Sequence, residues 1–209
     1  MPLILNIDPD NPEQSALERA VGILREGGII AYPTETFYGL GVDAENRDAI
    51  GKIFHVKGRD FKNPVALIRG DEEPLPRFAS YVPEYGRRLI GRFWPGPLTL
   101  LFSATPAVSE VLTAGSGKIG IRISSHHTAR LLAQMLGRPI TATSANLSGC
   151  PECTAASEVI DQIGERIDAV VDGGVTPGGM GSTILDVTGD APLVLRAGAV
   201  PETSIREII

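Results

Sequence analysis

Two periods of apolar residues alternate along the 209-residue chain. Apolar positions three or four residues apart are typical of helices, and short apolar runs bounded by glycine or proline are typical of strands. The first pattern predicts helices over residues 13–26, 47–56, 84–93, 128–136 and 154–163, the last capped by Thr154. The second predicts strands over residues 29–32, 65–68, 98–102, 119–123, 140–143, 169–171, 183–187 and 193–195.

This alternation of helices and strands predicts an α/β fold. Several connections are too short for the crossover helix that parallel neighbours need, so we expect a mixed sheet. The sheet should be twisted and open, with helices on both faces. Because no repeat, linker or domain boundary stands out, residues 1–209 are expected to form a single domain.

Composition narrows the class of protein. With 43% hydrophobic and 21% charged residues, the chain has the composition of a globular protein. It has neither an apolar run long enough to span a membrane nor a basic leader, so a soluble cytoplasmic protein without membrane contacts is expected. The net charge of −6 disfavours a protein that coats nucleic acid by bulk electrostatics, but it leaves room for a small anion in a local basic pocket.

The common nucleotide and hydrolase motifs are missing from this sequence, including the phosphate-binding loop and the dinucleotide fingerprint. One CxxC pair, Cys150 and Cys153, precedes a predicted helix, where a redox pair is conceivable. A zinc site would need further ligands, and two reduced loop cysteines are the favoured interpretation.

Two polar clusters in the first third of the chain stand where predicted strands end or begin. Thr34 and Thr36 follow the 29–32 strand and offer hydroxyls to a small polar ligand, although a threonine-rich turn explains them equally well. Lys57, Arg59 and Lys62 lie between a helix and a strand and could bind an anion. A solvated basic loop is the alternative for that run.

Two further clusters lie in the second half of the chain. Arg122 stands within an apolar strand, where a guanidinium is costly unless it meets an anion. It could clamp a carboxylate or make a structural salt bridge. Residues 141–149 follow another strand and supply hydroxyls, an amide and backbone N–H groups suited to a phosphate or sugar.

Taken in order, these segments resemble the YrdC family of threonylcarbamoyl-AMP synthases. The resemblance covers roughly residues 10 to 200 and rests on ordered motifs, any one of which is weak. The segments that carry it are YPTET at 32–36 with YGLG at 38–41, Lys57 and Arg59 with Asn63 and Pro64, WPGPL at 94–98, GIR at 120–122, SANLSG at 144–149, Ser182 with Thr183, and LRAG at 195–198. The length is similar to that of the short form, without an additional C-terminal domain.

The resemblance implies a YrdC-like fold with a large concave cavity, and a reaction that joins L-threonine, bicarbonate or CO2, and ATP. The products would be threonylcarbamoyl-adenylate and pyrophosphate, for the t6A modification of tRNA adenosine 37. The family pattern matches Thr34, Thr36, Arg122 and Ser182 to threonine binding. It matches Lys57, Arg59, Asn63, Lys118, Ser144, Asn146 and Arg196 to ATP binding, with Lys57 and Arg59 in the catalytic role.

Partners and cofactors follow from the same resemblance. Mg²⁺ is expected to travel with the triphosphate, because no acidic cluster suggests a dedicated metal site. Besides the substrates, tRNA and the threonylcarbamoyl-transferase complex are implied as partners. No general base stands out, and a preformed carbamate is already anionic and would need none.

Three positions depart from the family pattern: Asp60 where proline is common, Ile68 where histidine is frequent, and Lys118 where threonine is common. Lys118 could add a phosphate contact, whereas Ile68 leaves open a relative with another carbamoyl-transfer substrate. A module that binds tRNA or double-stranded RNA without chemistry is the alternative from another class. The acidic balance opposes it as the sole function.

Overall fold

A computed structural model describes residues 1–58, 64–70 and 75–209. Its strands are β1 (Leu3–Asn6), β2 (Ile30–Tyr32), β3 (Gly39–Gly41), β4 (Ala66–Arg69), β5 (Leu98–Ser103), β6 (Lys118–Ile123), β7 (Ile140–Ser144), β8 (Ala169–Asp172), β9 (Thr183–Asp186) and β10 (Leu193–Arg196). Its helices are α1 (Gln14–Arg25), α2 (Arg47–Lys57), α3 (Leu75–Phe78), α4 (Glu84–Phe93), α5 (Glu110–Thr113), α6 (His127–Leu136), α7 (Ala156–Ile163) and α8 (Glu202–Arg206), with a 3₁₀ turn at Gly164–Arg166.

The described strands form one sheet in the order β1-β8-β2-β3-β7-β4-β6-β5-β9-β10. The sheet contains both parallel pairs, such as β4 with β6 and β5 with β9, and antiparallel pairs, such as β5 with β6 and β4 with β7. The prediction of an α/β fold with a mixed open sheet is therefore confirmed. Arg122 on β6 lies beside Ile68 on β4 and two strands from β9, whose first residue follows Ser182.

Helices cover both faces of the sheet, and alternate residues of strands such as β2 and β4 enter two separate cores. Ala31 and Leu67 pack in the larger core with residues of α2, α4, α5, α7 and α8. Their neighbours Ile30 and Ile68 pack in the smaller core with α1 and α6. Farther along the face of the sheet that α1 and α6 cover, Ala66, Thr99 and Ile184 line a cavity and do not pack against a helix. The cavity therefore lies on the same face of the sheet as α1 and α6, next to these two helices.

β3 is a strand that the apolar pattern does not predict, because its two glycines are typical of a loop. Both glycines face the ring of Tyr32 on the paired strand β2. A Cβ atom would lie 2.9 Å from this ring at Gly39 and 2.7 Å from it at Gly41. Gly39 and Gly41 are therefore required by packing of the Tyr32 ring, which is fully buried and donates a 2.8 Å hydrogen bond to the Thr141 carbonyl.

The predicted Thr154 cap is wrong. α7 begins at Ala156, and the Thr154 N–H and hydroxyl instead donate to the Glu158 carboxylate at 2.7 and 3.2 Å. The Glu158 side chain, at the third position of α7, thus reaches back to the residues before the helix. None of the helices in the described ranges combines the length and apolar character needed to cross a membrane.

Candidate active site

A cavity of about 350 Å³ opens on the concave face where the loops after β2 and β7 approach the start of β9 and the end of β10. Its lining is rich in hydroxyl groups and contains two arginines. The residues that line it are Tyr32, Thr34, Thr36, Phe37, Tyr38, Gly39, Pro64, Ala66, Thr99, Arg122, Ala142, Thr143, Ser144, Glu152, Gly181, Ser182, Ile184 and Arg196.

Arg122 reaches the cavity from the middle of the sheet. Its side chain is 7% exposed, and its Nη1 donates to the Glu35 Oε1 atom at 2.7 Å. The other Glu35 oxygen accepts the hydroxyl of Ser124, two residues beyond Arg122. The structural salt bridge that the sequence left as an alternative is therefore present, and it coexists with a face of the guanidinium turned to the cavity.

The Arg122 guanidinium has donors to spare. An arginine carries five N–H groups in a planar fork, and the structure gives the Arg122 side chain one hydrogen-bond acceptor among the described residues, Glu35. A nearly buried guanidinium with unused donors toward a cavity is suited to a planar anion such as a carboxylate, which accepts two parallel hydrogen bonds.

Arg196 enters the cavity from β10. Its Nε and Nη2 atoms donate to the Ser182 carbonyl at 3.1 and 2.7 Å, and Nη2 also lies 3.0 Å from the Ser182 hydroxyl. The backbone makes this approach possible at Gly198, where a Cβ atom would lie 2.3 Å from the Gly181 carbonyl oxygen. The glycine of the LRAG segment thus lets the end of β10 pack directly on the segment that carries Ser182.

The two arginines are close enough for their charges to interact. Partial desolvation in the cavity lowers the pKa of Arg196; Glu152 opposes this decrease, and the nearby charge of Arg122 adds to it. The structure therefore brings Arg122, Arg196 and Ser182, which are far apart in the chain, to one cavity. Two guanidinium groups thus meet at one cavity, together with the carboxylates of Glu35 and Glu152.

Thr34 and Thr36 also line the cavity, but their hydroxyls are used differently. The Thr34 hydroxyl donates to the Phe37 carbonyl at 2.6 Å and accepts from the Thr36 N–H at 3.2 Å. These bonds make Thr34 part of the turn after β2. Because the Thr34 proton goes to Phe37, the Thr36 hydroxyl, 3.3 Å away, donates to the Thr34 oxygen, and its own oxygen can still accept a hydrogen bond from a ligand.

Lys57 and Asn146 lie behind the cavity wall rather than among its lining residues. The Lys57 side chain is buried, and its ammonium donates to the Ser144 carbonyl at 2.5 Å, the Asn146 carbonyl at 3.0 Å and the Asn146 Oδ1 atom at 3.1 Å. The Asn146 amide in turn donates to the Leu147 and Cys150 carbonyls. Both side chains hold the end of β7 and the loop after it, and Ser144, the last residue of β7, does line the cavity.

Lys118 is placed elsewhere. It lies on β6 roughly 13 Å from Arg122, given four residues of extended chain, and its ammonium pairs with Asp186 at 2.6 Å. The expected phosphate contact of Lys118 is therefore not supported by its position, since it is not among the residues that line the cavity. Arg59 and Asn63, and the departure at Asp60, lie outside the described residues.

Three residues near the described lining were not predicted from the sequence. Glu35 stands between the two threonines and holds Arg122. Thr99 on β5 lies with its hydroxyl 3.0 Å from the Ser182 hydroxyl. Glu152 is the acidic residue among the lining side chains of the described chain. A carboxylate within a strand-end turn is a signal that could have indicated Glu35, but nothing local indicates its partner.

The two cysteines of the CxxC pair have different surroundings. Cys150 is exposed and Cys153 is fully buried. Burial raises the pKa of the Cys153 thiol to about 11, which keeps it protonated. Across residues 1–58, 64–70 and 75–209, three or more histidine, cysteine or acidic side chains nowhere gather as metal ligands would.

Comparison with known proteins identifies the family. The Sua5/YciO/YrdC family model, described as telomere recombination, matches residues 22–198. This chain belongs to that family. Curated relatives called threonylcarbamoyl-AMP synthase include proteins of Pyrococcus abyssi, 38% identical over all of this chain, and of Bacillus subtilis, 41% identical over 92% of it. The chain spans 61% and 56% of the lengths of these two relatives.

Solved structures agree with the Sua5/YciO/YrdC assignment. Sua5 of Pyrococcus abyssi complexed with L-threonine matches 99% of this chain and 61% of that chain, with a TM-score of 0.96 and 38% identity. Escherichia coli YciO matches 98% of this chain over its whole length, with a TM-score of 0.90 and 30% identity. A putative threonylcarbamoyl-AMP synthase of Mycobacterium tuberculosis is 33% identical over 97% of this chain and 94% of its own length.

Proposed function

We propose that this chain is an L-threonylcarbamoyladenylate synthase, which makes threonylcarbamoyl-AMP and pyrophosphate from L-threonine, bicarbonate or CO2, and ATP. The observation that carries the proposal is the pair of arginines at one cavity, Arg122 with unused donors and Arg196 beside Ser182. The family membership and the name shared by the curated relatives support the same activity.

Arg122 is the proposed anchor of the amino acid. A threonine carboxylate can accept two parallel hydrogen bonds from its guanidinium, which fixes both position and orientation. Thr36 and Ser182 offer hydroxyls on the lining of the same cavity for the remaining polar groups of threonine. Thr34 contributes indirectly, because its hydroxyl orients the Thr36 backbone.

The proposed chemistry has two bond-forming steps. The neutral threonine amine forms a bond to the carbon of CO2 and loses a proton to solvent, or it condenses with bicarbonate and releases water; either route gives a carbamate. A carbamate oxygen then attacks the α-phosphorus of ATP, and the bond from this phosphorus to the bridging oxygen breaks as pyrophosphate leaves. Catalysis of such a step consists mainly of positioning and of stabilising negative charge. Arg196 supplies positive charge for this purpose, and Arg59 is predicted to do so.

Lys57 and Asn146 are proposed to act through the loop they hold. Their hydrogen bonds fix the backbone around Ser144, whose side chain faces the cavity. A hydroxyl and backbone N–H groups at this place suit phosphate oxygens. Asn63 stays a predicted ATP contact. Mg²⁺ would be held mainly by the triphosphate, because the described chain offers no cluster of ligands for it.

Pyrophosphate release tests the proposal. The purified chain should release pyrophosphate from ATP only when L-threonine and bicarbonate are both present, and valine, which lacks the hydroxyl, should replace threonine poorly. Pyrophosphate release that is independent of any amino acid would refute the proposed activity. Cytoplasmic location and contacts with tRNA or the transferase complex stay predictions from the family resemblance.

A further inference from the structure

We propose that Glu35 is a positioning residue that aims the Arg122 guanidinium at the substrate carboxylate; this inference rests on the proposed function. Glu35 lies in the turn between β2 and β3, whereas Arg122 lies 87 positions later on β6. The contact therefore joins two separate parts of the cavity wall. It acts on the reaction only through the orientation of Arg122.

The Glu35 carboxylate is held on both oxygens. One oxygen accepts from Arg122 Nη1 at 2.7 Å, and the other accepts the Ser124 hydroxyl. The Ser124 oxygen accepts the His126 N–H at 3.1 Å, so the hydroxyl proton is directed away from that group and toward Glu35. Ser124 is fully buried, and the side chains of Arg122 and Glu35 are 7% and 11% exposed. The carboxylate is thus a fixed acceptor in a dry environment.

A fixed acceptor is what a recognition arginine needs. A free arginine side chain has many rotamers, and a ligand that selects one of them loses affinity. Glu35 occupies one nitrogen of the fork and leaves the other donors for the cavity. A substrate carboxylate would then meet a guanidinium already in its binding orientation.

Two other roles for Glu35 make different predictions. If Glu35 mattered only as a negative charge beside a buried cation, aspartate would replace it and glutamine would not. If Glu35 competed with substrate for Arg122, its removal would lower the KM for threonine. A positioning role depends on side-chain length and on an acceptor oxygen, so glutamine should replace Glu35 and aspartate should not.

The test compares Glu35→Ala, Glu35→Asp and Glu35→Gln in the full chain by steady-state kinetics of pyrophosphate release. We expect Glu35→Ala and Glu35→Asp to raise the KM for threonine about tenfold to a hundredfold, the range expected for a lost charge-assisted hydrogen bond. Glu35→Gln should stay within about threefold of wild type, because its amide oxygen can still accept from Arg122. The KM for ATP should change little in all three variants.

NMR order parameters of the Arg122 Nε–H group give a readout that does not depend on catalysis. They should fall in Glu35→Asp and stay near wild type in Glu35→Gln. A wild-type KM and an ordered Arg122 in Glu35→Asp would overturn the inference, as would a lowered KM in Glu35→Ala. If Glu35→Ala fails to fold, the aspartate and glutamine pair still decides the matter.

Asp186→Asn is the matched control, because it breaks an ion pair of similar length outside the cavity lining. It should leave the KM for threonine unchanged. Failure of the proposed function would look different, since wild-type protein would then release no threonine-dependent pyrophosphate. In that case the order parameters of the Glu35 variants would still confirm or refute the orientation of Arg122.

Discussion

Arg122 and Arg196 share a cavity but are held in opposite ways. Arg122 is nearly buried and bonded to a carboxylate, whereas Arg196 is more exposed and bonded to the neutral oxygens of Ser182. A guanidinium paired with a carboxylate is fixed in direction and largely neutralised, which suits a small ligand with one charge. The charge of a guanidinium that bonds to neutral oxygens is not neutralised, so it can still attract a polyanion. We therefore expect threonine at Arg122 and phosphate at Arg196.

The largest effect is expected from Arg122→Ala. Threonine-dependent kcat/KM should fall about 1,000-fold or more, because the substrate carboxylate loses its charged partner. The free energy of unfolding should also fall by about 3–5 kcal/mol, since the Glu35 carboxylate would be buried without a positive charge beside it. Steady-state kinetics and urea denaturation measure the two effects.

A second substitution separates these two effects of Arg122→Ala. Adding Glu35→Gln removes the unpaired charge and should recover much of the lost stability, while activity stays low. Recovery of activity in the double variant would show that Arg122 serves the fold alone and would break the comparison.

Arg196→Ala should act on the other ligand. We expect the KM for ATP to rise about thirtyfold, which corresponds to about 2 kcal/mol, with the KM for threonine within about threefold of wild type. Arg196→Lys keeps the charge but not the fork, so it should lie between the two. Equal increases in both KM values would mean that the two arginines do not serve separate ligands.

Lys57 provides a third cation whose role is structural in this account. Lys57→Met should lower the free energy of unfolding by about 2 kcal/mol, because the partly buried Ser144 carbonyl and the buried Asn146 carbonyl lose their donor. A double-mutant cycle with Asn146→Ala, read as ATP affinity, should be strongly non-additive, since both side chains hold one loop. Additive losses of ATP affinity would instead indicate that Lys57 contacts phosphate independently.

The smallest effect concerns Asp186, outside the cavity lining. Burial alone would raise its pKa, but hydrogen bonds from Lys118 and Thr188 outweigh burial and lower it. A carboxyl with a lowered pKa stabilises the fold above its unfolded pKa, and the contribution is lost as pH falls through the folded pKa. Asp186→Asn should therefore cost stability, by about 1 kcal/mol or less, at neutral pH and nothing at strongly acidic pH. A stability loss that persists at acidic pH would contradict this origin.

The fold could be predicted from the sequence where local apolar periodicity determines the strands and helices. Apolar runs found most strands, and helical spacing found α1, α2, α4 and α6 close to their observed bounds. β3 was not predicted, because its glycines are required by the ring of Tyr32, and this contact exists only where β3 pairs with β2. Short elements such as α8 were not predicted, because a helix of five residues is too short for apolar positions to recur with a helical period.

The site was predictable where a residue conflicts with its surroundings. Arg122 could be singled out because a guanidinium in an apolar strand needs an anion. Lys118 lies on the same face of β6 as Arg122 but does not line the cavity. Its distance from Arg122 along β6 and its ion pair with Asp186 could not be predicted from the sequence. Glu35 stayed hidden for the same reason, since its partner lies on a distant strand.

The central claim, that two arginines hold two ligands for joining in one cavity, is tested most directly by product analysis. Wild-type protein would be incubated with ATP, L-threonine and ¹³C-bicarbonate, and the nucleotides separated and weighed by mass spectrometry. We expect an adenylate that contains threonine and one labelled carbon. It should be lost in Arg122→Ala and reduced at low ATP in Arg196→Ala. Wild-type protein that yields no labelled adenylate would contradict this expectation.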